Sequence, residues 1–394
     1  MKSTVSLRDQ KELTLLRRDF HAHPELKYEE KRTARVVCEK LKSYGYSRIK
    51  TGVAKTGVVT LLKGKGNRTI LLRADMDGLP IEELNKTLYC SKNKGVMHAC
   101  GHDAHVASLL MTAKHLKKEA LAGNIKLVFQ PAEEGGEGGR VMVEEGVLRN
   151  PKVEAAFGLH VWSALPVGKV GVTPGAIMAA VDKLEIKIKG KGGHGAVPQV
   201  TIDSIVVAAA VINSLQSIVS RNTDPLDSVV VTIGKITGGS SFNIISEETT
   251  LVGTVRTMNP KTWAKMPGLI ERTVKGVTQA YGATYELHYK RSAPVTINDK
   301  KMTEFVGEIA ASIVGEKNVI RDERTLGGED FSFMLREVPG CFFFVGSKNE
   351  KKGLVRYHHN PTFDIDEECL PIGVEIMKKI AVKYFSYFPK PPHF

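Results

Sequence analysis

The chain has 394 residues, 42% hydrophobic and 25% charged, which is ordinary for a soluble globular protein and long enough for two domains. Its formal charge of +13 is spread over Lys and Arg along the whole sequence, neither blocked nor interleaved with aromatics, so no nucleic acid or membrane partner is expected. The first twenty residues carry no seven-residue apolar core, no apolar run reaches about 18 residues, and the five cysteines are odd in number and scattered, so a cytoplasmic protein with reduced thiols is expected.

Residues 5–44 read as helices around the turn His21-Ala22-His23-Pro24-Glu25, with His21 and His23 expected at the surface. Residues 57–62 and 69–73 are strand-like, and the second run leads into Ala74-Asp75-Met76-Asp77-Gly78. Next comes Met97-His98-Ala99-Cys100-Gly101-His102-Asp103-Ala104-His105, directly ahead of an apolar helical run. Thiol, imidazole and carboxylate are the donors that hold zinc and manganese, and Cys100 and His102, two apart in an extended segment, project to the same side. Taken alone, the stretch also reads as a polar helix start with Asp103 as N-cap of residues 104–119.

Residues 124–130 form a strand ending at Pro131-Ala132-Glu133-Glu134-Gly135-Gly136, and residues 153–159 another ending at His160-Val161-Trp162. Strands alternating with helices imply parallel pairing, and open α/β sheets gather ligands outside the strand C-termini. Asp75, Asp77, Glu133, Glu134 and His160 all fall at such ends.

From about residue 181 the texture changes. Residues 182–189 alternate apolar and polar, and Gly190-Lys191-Gly192-Gly193-His194-Gly195 follows as a flexible loop. Helix 202–220, strands 228–236 and 249–257, helix 260–281 and strand 284–289 complete a β-α-β-β-α-β order of ferredoxin-like type. The expected architecture is an α/β domain, residues 1–181 and 295–394, interrupted by a ferredoxin-like α+β domain at 182–294. The first domain resumes with helix 302–314, the Gly327-Gly328-Glu329-Asp330-Phe331 turn, strand 341–345 and a final helix after Asp366; Asp330 is a carboxylate that could support the site or equally an N-cap before Phe331.

Two cations about 3.5 to 4 Å apart can bind both a nucleophilic water and a substrate carbonyl oxygen. Such a pair needs one shared ligand and an unliganded base. Cys100, His102, Glu134, His160 and one of His358 or His359 can supply the ligands. The Glu133-Glu134 dipeptide offers an oxygen donor and a general acid or base together, although an isolated Glu-Glu-Gly-Gly is an ordinary solvated turn.

At this point the chain resembles the metal-dependent aminoacylase and amidohydrolase branch of peptidase family M20, which includes hippurate hydrolases, N-acyl-amino-acid amidohydrolases and auxin-conjugate hydrolases. The likeness spans nearly the whole chain. It is carried by HAHPEL at 21–26, RADMDGLP at 73–80, MHACGHDAH at 97–105, FQPAEEG at 129–135, GLHVW at 158–162, GGHGAVP at 192–198, GGEDFS at 327–332 and HHNPTFDID at 358–366.

The resemblance implies two divalent metal ions per subunit, Zn2+ or Mn2+ with Ni2+ or Co2+ admissible, held by Cys100, His102, Glu134, His160 and His359. It implies Glu133 as general base, His194 as a donor to the oxyanion, and Asn243 and Arg256 as ligands of the substrate carboxylate or carbonyl. It further implies that the first domain is an α/β catalytic, metal-binding domain with a central mixed sheet, and that the inserted domain is a lid and the face of a homodimer. Asp77 and Asp103 are read as carboxylates that orient ligand imidazoles. The reaction so implied is cleavage of an N-acyl amino acid to a carboxylic acid and a free amino acid. A dipeptidase or an N-acetyl-diaminopimelate deacetylase is the rival on the same scaffold, and an inactive small-molecule binding protein is the rival of another class.

Overall fold

The computed structural model describes residues 5–391. They form two compact units: Ala176–Thr296 with Thr325–Glu329 make the smaller, and the remaining described residues the larger.

The larger unit is built on an eight-stranded mixed sheet in the order Ile49–Val53, Gly57–Leu62, Asn124–Gln130, Thr69–Asp75, Ala155–Pro166, Gly340–Lys348, Val170–Gly171, Val319–Ile320. Asn124–Gln130, Thr69–Asp75, Ala155–Pro166 and Gly340–Lys348 run parallel. Every residue of Thr69–Asp75 and Asn124–Gln130 is buried, as parallel strands covered on both faces require. Antiparallel pairs flank them on either side. The helix His102–Leu116 lies against Leu7–His21 and Leu370–Tyr387 and is buried on nearly all sides, so its apolar content is a core signal.

Two local expectations give way here. The strand expected to end at residue 159 continues to Pro166, because Val161 and Trp162 pair with Val345 and Gly346 and the Trp162 ring stacks on Phe344 at 4.5 Å. His160 therefore sits within a strand. Asp103 is not an N-cap: the helix starts at His102 behind Gly101, whose φ of 88° is left-handed. A Cβ at Gly101 would also meet Val161 Cγ2 at 2.4 Å, so both backbone and space demand glycine.

The smaller unit has a four-stranded antiparallel sheet in the order Val229–Gly238, Glu248–Thr257, Ala180–Lys189, Thr284–Ala293. Ser204–Arg221 and Pro260–Ala280 pack on it, giving β-α-β-β-α-β in chain order. Asp203 accepts the Ile205 and Val206 N–H groups and Asn259 that of Lys261, capping both helices. Ser204–Arg221 is long and apolar enough by composition to cross a membrane, but its Val207, Val211, Leu215 and Ile218 stripe is the face buried in this unit's core.

Candidate metal centre

Three of the donor sets that converge in the larger unit, the atoms of each within 4.8 Å of one another, are Cys100, His102 and His160; Cys100, Glu134 and His359; and His102, Glu133 and Glu134. Cys100, His102 and Glu134 each belong to two of these three, as ligands around a pair of neighbouring cations would. Its Sγ lies 3.4 Å from His160 Nε2. His102 Nε2 and Glu134 Oε1 are buried and make no hydrogen bond among the described residues, although they face Asp75 Oδ2 at 3.6 Å and His359 Nε2 at 3.2 Å. Buried polar atoms are normally satisfied, so these two orphans amid a thiol, imidazoles and a carboxylate fit a divalent cation.

Each donor is aimed from behind. The His160 Nδ1–H donates to Val161 O at 2.6 Å, which leaves Nε2 free to face Cys100. His102 Nδ1 donates to the Asp77 carbonyl at 2.9 Å, with Asp77 Oδ1 at 3.3 Å, and this fixes its tautomer. The Asp77 carboxylate also accepts the N–H groups of Glu133 and Glu134, at 3.1 and 2.9 Å. Asp77 thus ties the imidazole to the turn that carries both glutamates. That turn is forced through a left-handed Ala132, whose N–H is accepted by buried Glu30 at 2.8 Å. Tyr28 Oη donates to Gly136 O, and the Asp330 N–H donates to Glu133 Oε1 at 3.3 Å.

The paired histidines near the C-terminus differ in their free valences. His358 Nε2–H donates to Val161 O at 2.9 Å, its Nδ1 is 3.2 Å from Ser163 Oγ, and its ring stacks on Trp162. Both His358 nitrogens are engaged. His359 is half exposed, and its backbone N–H is anchored on Ala99 O at 2.7 Å. Its ring is the one in the donor set.

The electrostatics favour positive charge at this place. Burial, then Glu134, Glu133 and Asp75, push the Cys100 thiol well above its usual value. Burial opposes the charged form of His102, but Asp75 and Asp77 outweigh it and raise the imidazole to about 10. Burial with neighbouring His105 and His358 holds His160 well below its usual value. A bound cation would supply the missing charge and stabilise the thiolate.

Several sequence expectations need correcting. Asp103 does not orient a ligand imidazole: its Oδ2 accepts Arg17 Nε and His21 Nδ1, both at 2.8 Å. Consecutive helical residues point about 100° apart, so Asp103 faces away from His102. His21 is not a surface group but fully buried, between Asp103 and Glu83; its partners lie 82 and 62 residues away in the chain. Asp330 does not cap the helix that follows it, which starts at Ser332 behind Phe331: its carboxylate accepts Arg73 Nη2, Gln130 Nε2 and the Gly139 N–H of the helix Gly138–Glu144. His105 was overlooked. Its Nε2 accepts the Val161 N–H at 2.9 Å, so its Nδ1–H donates to Asp75 Oδ1 at 2.6 Å, and its spacing of three from His102 on one helix was the available signal.

In the smaller unit, His194 is exposed on a two-residue strand paired with Ile244–Ile245, and Asn243 O accepts the Gly195 N–H at 2.8 Å. His194 and Asn243 are therefore neighbours. Arg256 lies on the separate strand Glu248–Thr257 and donates from Nη1 to Thr254 Oγ1 at 2.6 Å.

A metal cage at the C-terminal ends of parallel strands, with carboxylates beside it, is the equipment of a hydrolase that works on an amide carbonyl. In class the chain is a metal-dependent amidohydrolase. The pattern describing peptidase family M20/M25/M40 matches residues 71–383, and the chain belongs to that family. It is 42% identical over 376 residues to IAA-amino acid hydrolase ILR1-like 4 of Arabidopsis thaliana, covering 94% of this chain and 84% of that protein. The N-acetylcysteine deacetylase of Bacillus subtilis is 38% identical over 370 residues, covering 93% and 95%. The crystal structure of the Bacillus subtilis YXEP protein, described as a dinuclear metal binding peptidase, superposes with a TM-score of 0.84 at 34% identity, covering 97% of this chain and 99% of that one.

Proposed function

We propose that the chain hydrolyses N-acyl amino acids of the hippurate or N-acetyl type to a carboxylic acid and a free amino acid. The observation that carries this reading is the gathering of Cys100, His102, Glu134, His160 and His359 into overlapping donor sets, with Glu133 alongside. Support for the substrate class comes from relatives named for an amino acid hydrolase and an N-acetylcysteine deacetylase.

Cys100, His102, Glu134, His160 and His359 would hold two divalent ions, Zn2+ or Mn2+ by donor chemistry, with Ni2+ or Co2+ admissible. When bound, the ions lower the pKa of a water from 15.7 towards about 7 and polarise the amide carbonyl. Glu133, steadied by the Asp330 N–H, takes a proton from the attacking water and delivers it to the leaving amine nitrogen. Asp77 keeps His102 and the two glutamates in register. We assign His194 to the developing oxyanion and Asn243 and Arg256 to the substrate carboxylate or carbonyl, on the family likeness. The same likeness supports a lid role for residues 182–294 and a homodimer formed through them, while a cytoplasmic location rests on the sequence composition alone.

A peptidase reading is favoured by the description of the YXEP structure. Turnover of hippurate, N-acetyl amino acids and free dipeptides, measured after reconstitution with each metal, separates the two. Cleavage of dipeptides alone would overturn the N-acyl reading. Glu133→Gln is expected to keep its metal and lose turnover by a factor on the order of 10² to 10⁴; unchanged kcat would remove Glu133 as the base.

A further inference from the structure

We infer that Asp330 is a positioning residue for the general base, and that it acts by clamping both ends of the turn on which Glu133 stands. The inference rests on the reading of Glu133 as base. The turn leaves the strand Asn124–Gln130 at Gln130 and enters the helix Gly138–Glu144, so Gln130 and Gly139 mark its two flanks. One carboxylate holds both: Asp330 Oδ1 accepts Gln130 Nε2 at 2.6 Å, and Oδ2 accepts the Gly139 N–H at 2.7 Å. The same residue's backbone N–H donates to Glu133 Oε1 at 3.3 Å. Clamp and pointer are thus one residue.

Asp330 can do this because it is itself immobilised. It is only 3% exposed, and Arg73, fully buried, donates from Nη2 to its Oδ1 at 3.1 Å. Arg73 is fixed in turn by Asp75 Oδ2 at 2.7 Å and Gln130 Oε1 at 3.0 Å. Asp75 holds His105 and lies 3.6 Å from His102 Nε2. One buried guanidinium therefore refers the base and the His102 side of the cage to a common frame. The close fit leaves no slack: a Cβ at Gly139 would meet Asp330 O at 2.6 Å, and one at Gly138 would collide with Pro131 O. A base must be held to within about 0.5 Å of its productive geometry, and a misplacement of about 1 Å can cost roughly 10²-fold in rate.

The test compares Asp330→Asn, Glu133→Gln and the double variant for kcat, KM, metal content and amide exchange of residues 132–139 in the metal-free chain. An amide at position 330 sets a donor against the Gly139 N–H or against Arg73 and Gln130. Asp330→Asn should lower kcat about 100-fold, keep KM and bound metal within about twofold, and speed exchange across the turn. The double variant should be no slower than Glu133→Gln, since the two act as a unit. A kcat within about twofold of the parent, a matching loss of metal, or an additive double variant would overturn the inference. Should Asp330→Asn fail to unfold cooperatively, Gln130→Met replaces it, removing one arm of the clamp without changing charge, and must show the same kcat-selective loss. An inactive Glu133→Gln beside an unimpaired Asp330→Asn defeats the positioning role alone, whereas an active Glu133→Gln defeats the base and this inference with it.

Discussion

His358 and His359 share a backbone and almost nothing else. The first spends both nitrogens on Val161 O and Ser163 Oγ, and the second turns its ring to Glu134. His359→Ala should therefore lower the metal bound per chain, read by atomic emission. His358→Ala should leave metal content intact and cost about 1–3 kcal/mol of stability through lost stacking and hydrogen bonds, read by urea unfolding. Equal loss of metal in both variants would contradict the assignment. Burial and the Arg17 charge disfavour protonated His21, but Asp103 and Glu83 outweigh them and raise its pKa above 6.5. A group raised in the folded state contributes stability that is complete below the unfolded value and is lost as pH climbs through the folded one. His21→Gln should thus destabilise the protein more near about pH 6 than near about pH 9; a penalty that grows with pH would refute the pairing. That His21 is buried could not be read from the HAHPEL stretch, since a histidine beside proline looks like a loop until its distant carboxylates are brought to it.

At the level of the element, the helix His102–Leu116 needs its abrupt start. Gly101 lets the chain turn through a left-handed residue so that Cys100 and His102, on either side of it, reach the same cage. Gly101→Ala should cost about 1–3 kcal/mol from backbone strain, with more from the overlap with Val161. Metal affinity should fall with it, and titration of metal into the refolded variant alongside urea unfolding checks both. Parent-like affinity would show that the turn does not set the donors. The strands Thr69–Asp75 and Asn124–Gln130 were readable as strands because short apolar runs bounded by turn residues are what a buried parallel sheet demands. The continuation of Ala155–Pro166 past His160 was not, because Val161 and Trp162 are held in extended form by Gly340–Lys348, far along the chain.

Across the whole molecule the two units have separate cores, and the donor cage lies in the larger one. A ligand that binds only the folded state adds about 2.7 kcal/mol at a hundredfold excess over its Kd. Chelation should therefore reduce amide-exchange protection in the larger unit's sheet and helix His102–Leu116, leave the smaller unit's strands unchanged, and be reversed by adding metal back. Loss spread evenly over both units would place the ions elsewhere. The sequence by itself determined the elements and the donor types: periodicity and turn residues are local properties, and the thiol, imidazoles and paired glutamates stand in short contiguous stretches. Only the tertiary structure decided which atoms are shared, which histidine of a pair is free, and that Asp103 and Asp330 face Arg17 and Arg73. Those outcomes depend on angstrom distances between segments tens to hundreds of residues apart, which strand register and helix packing set and local sequence does not encode.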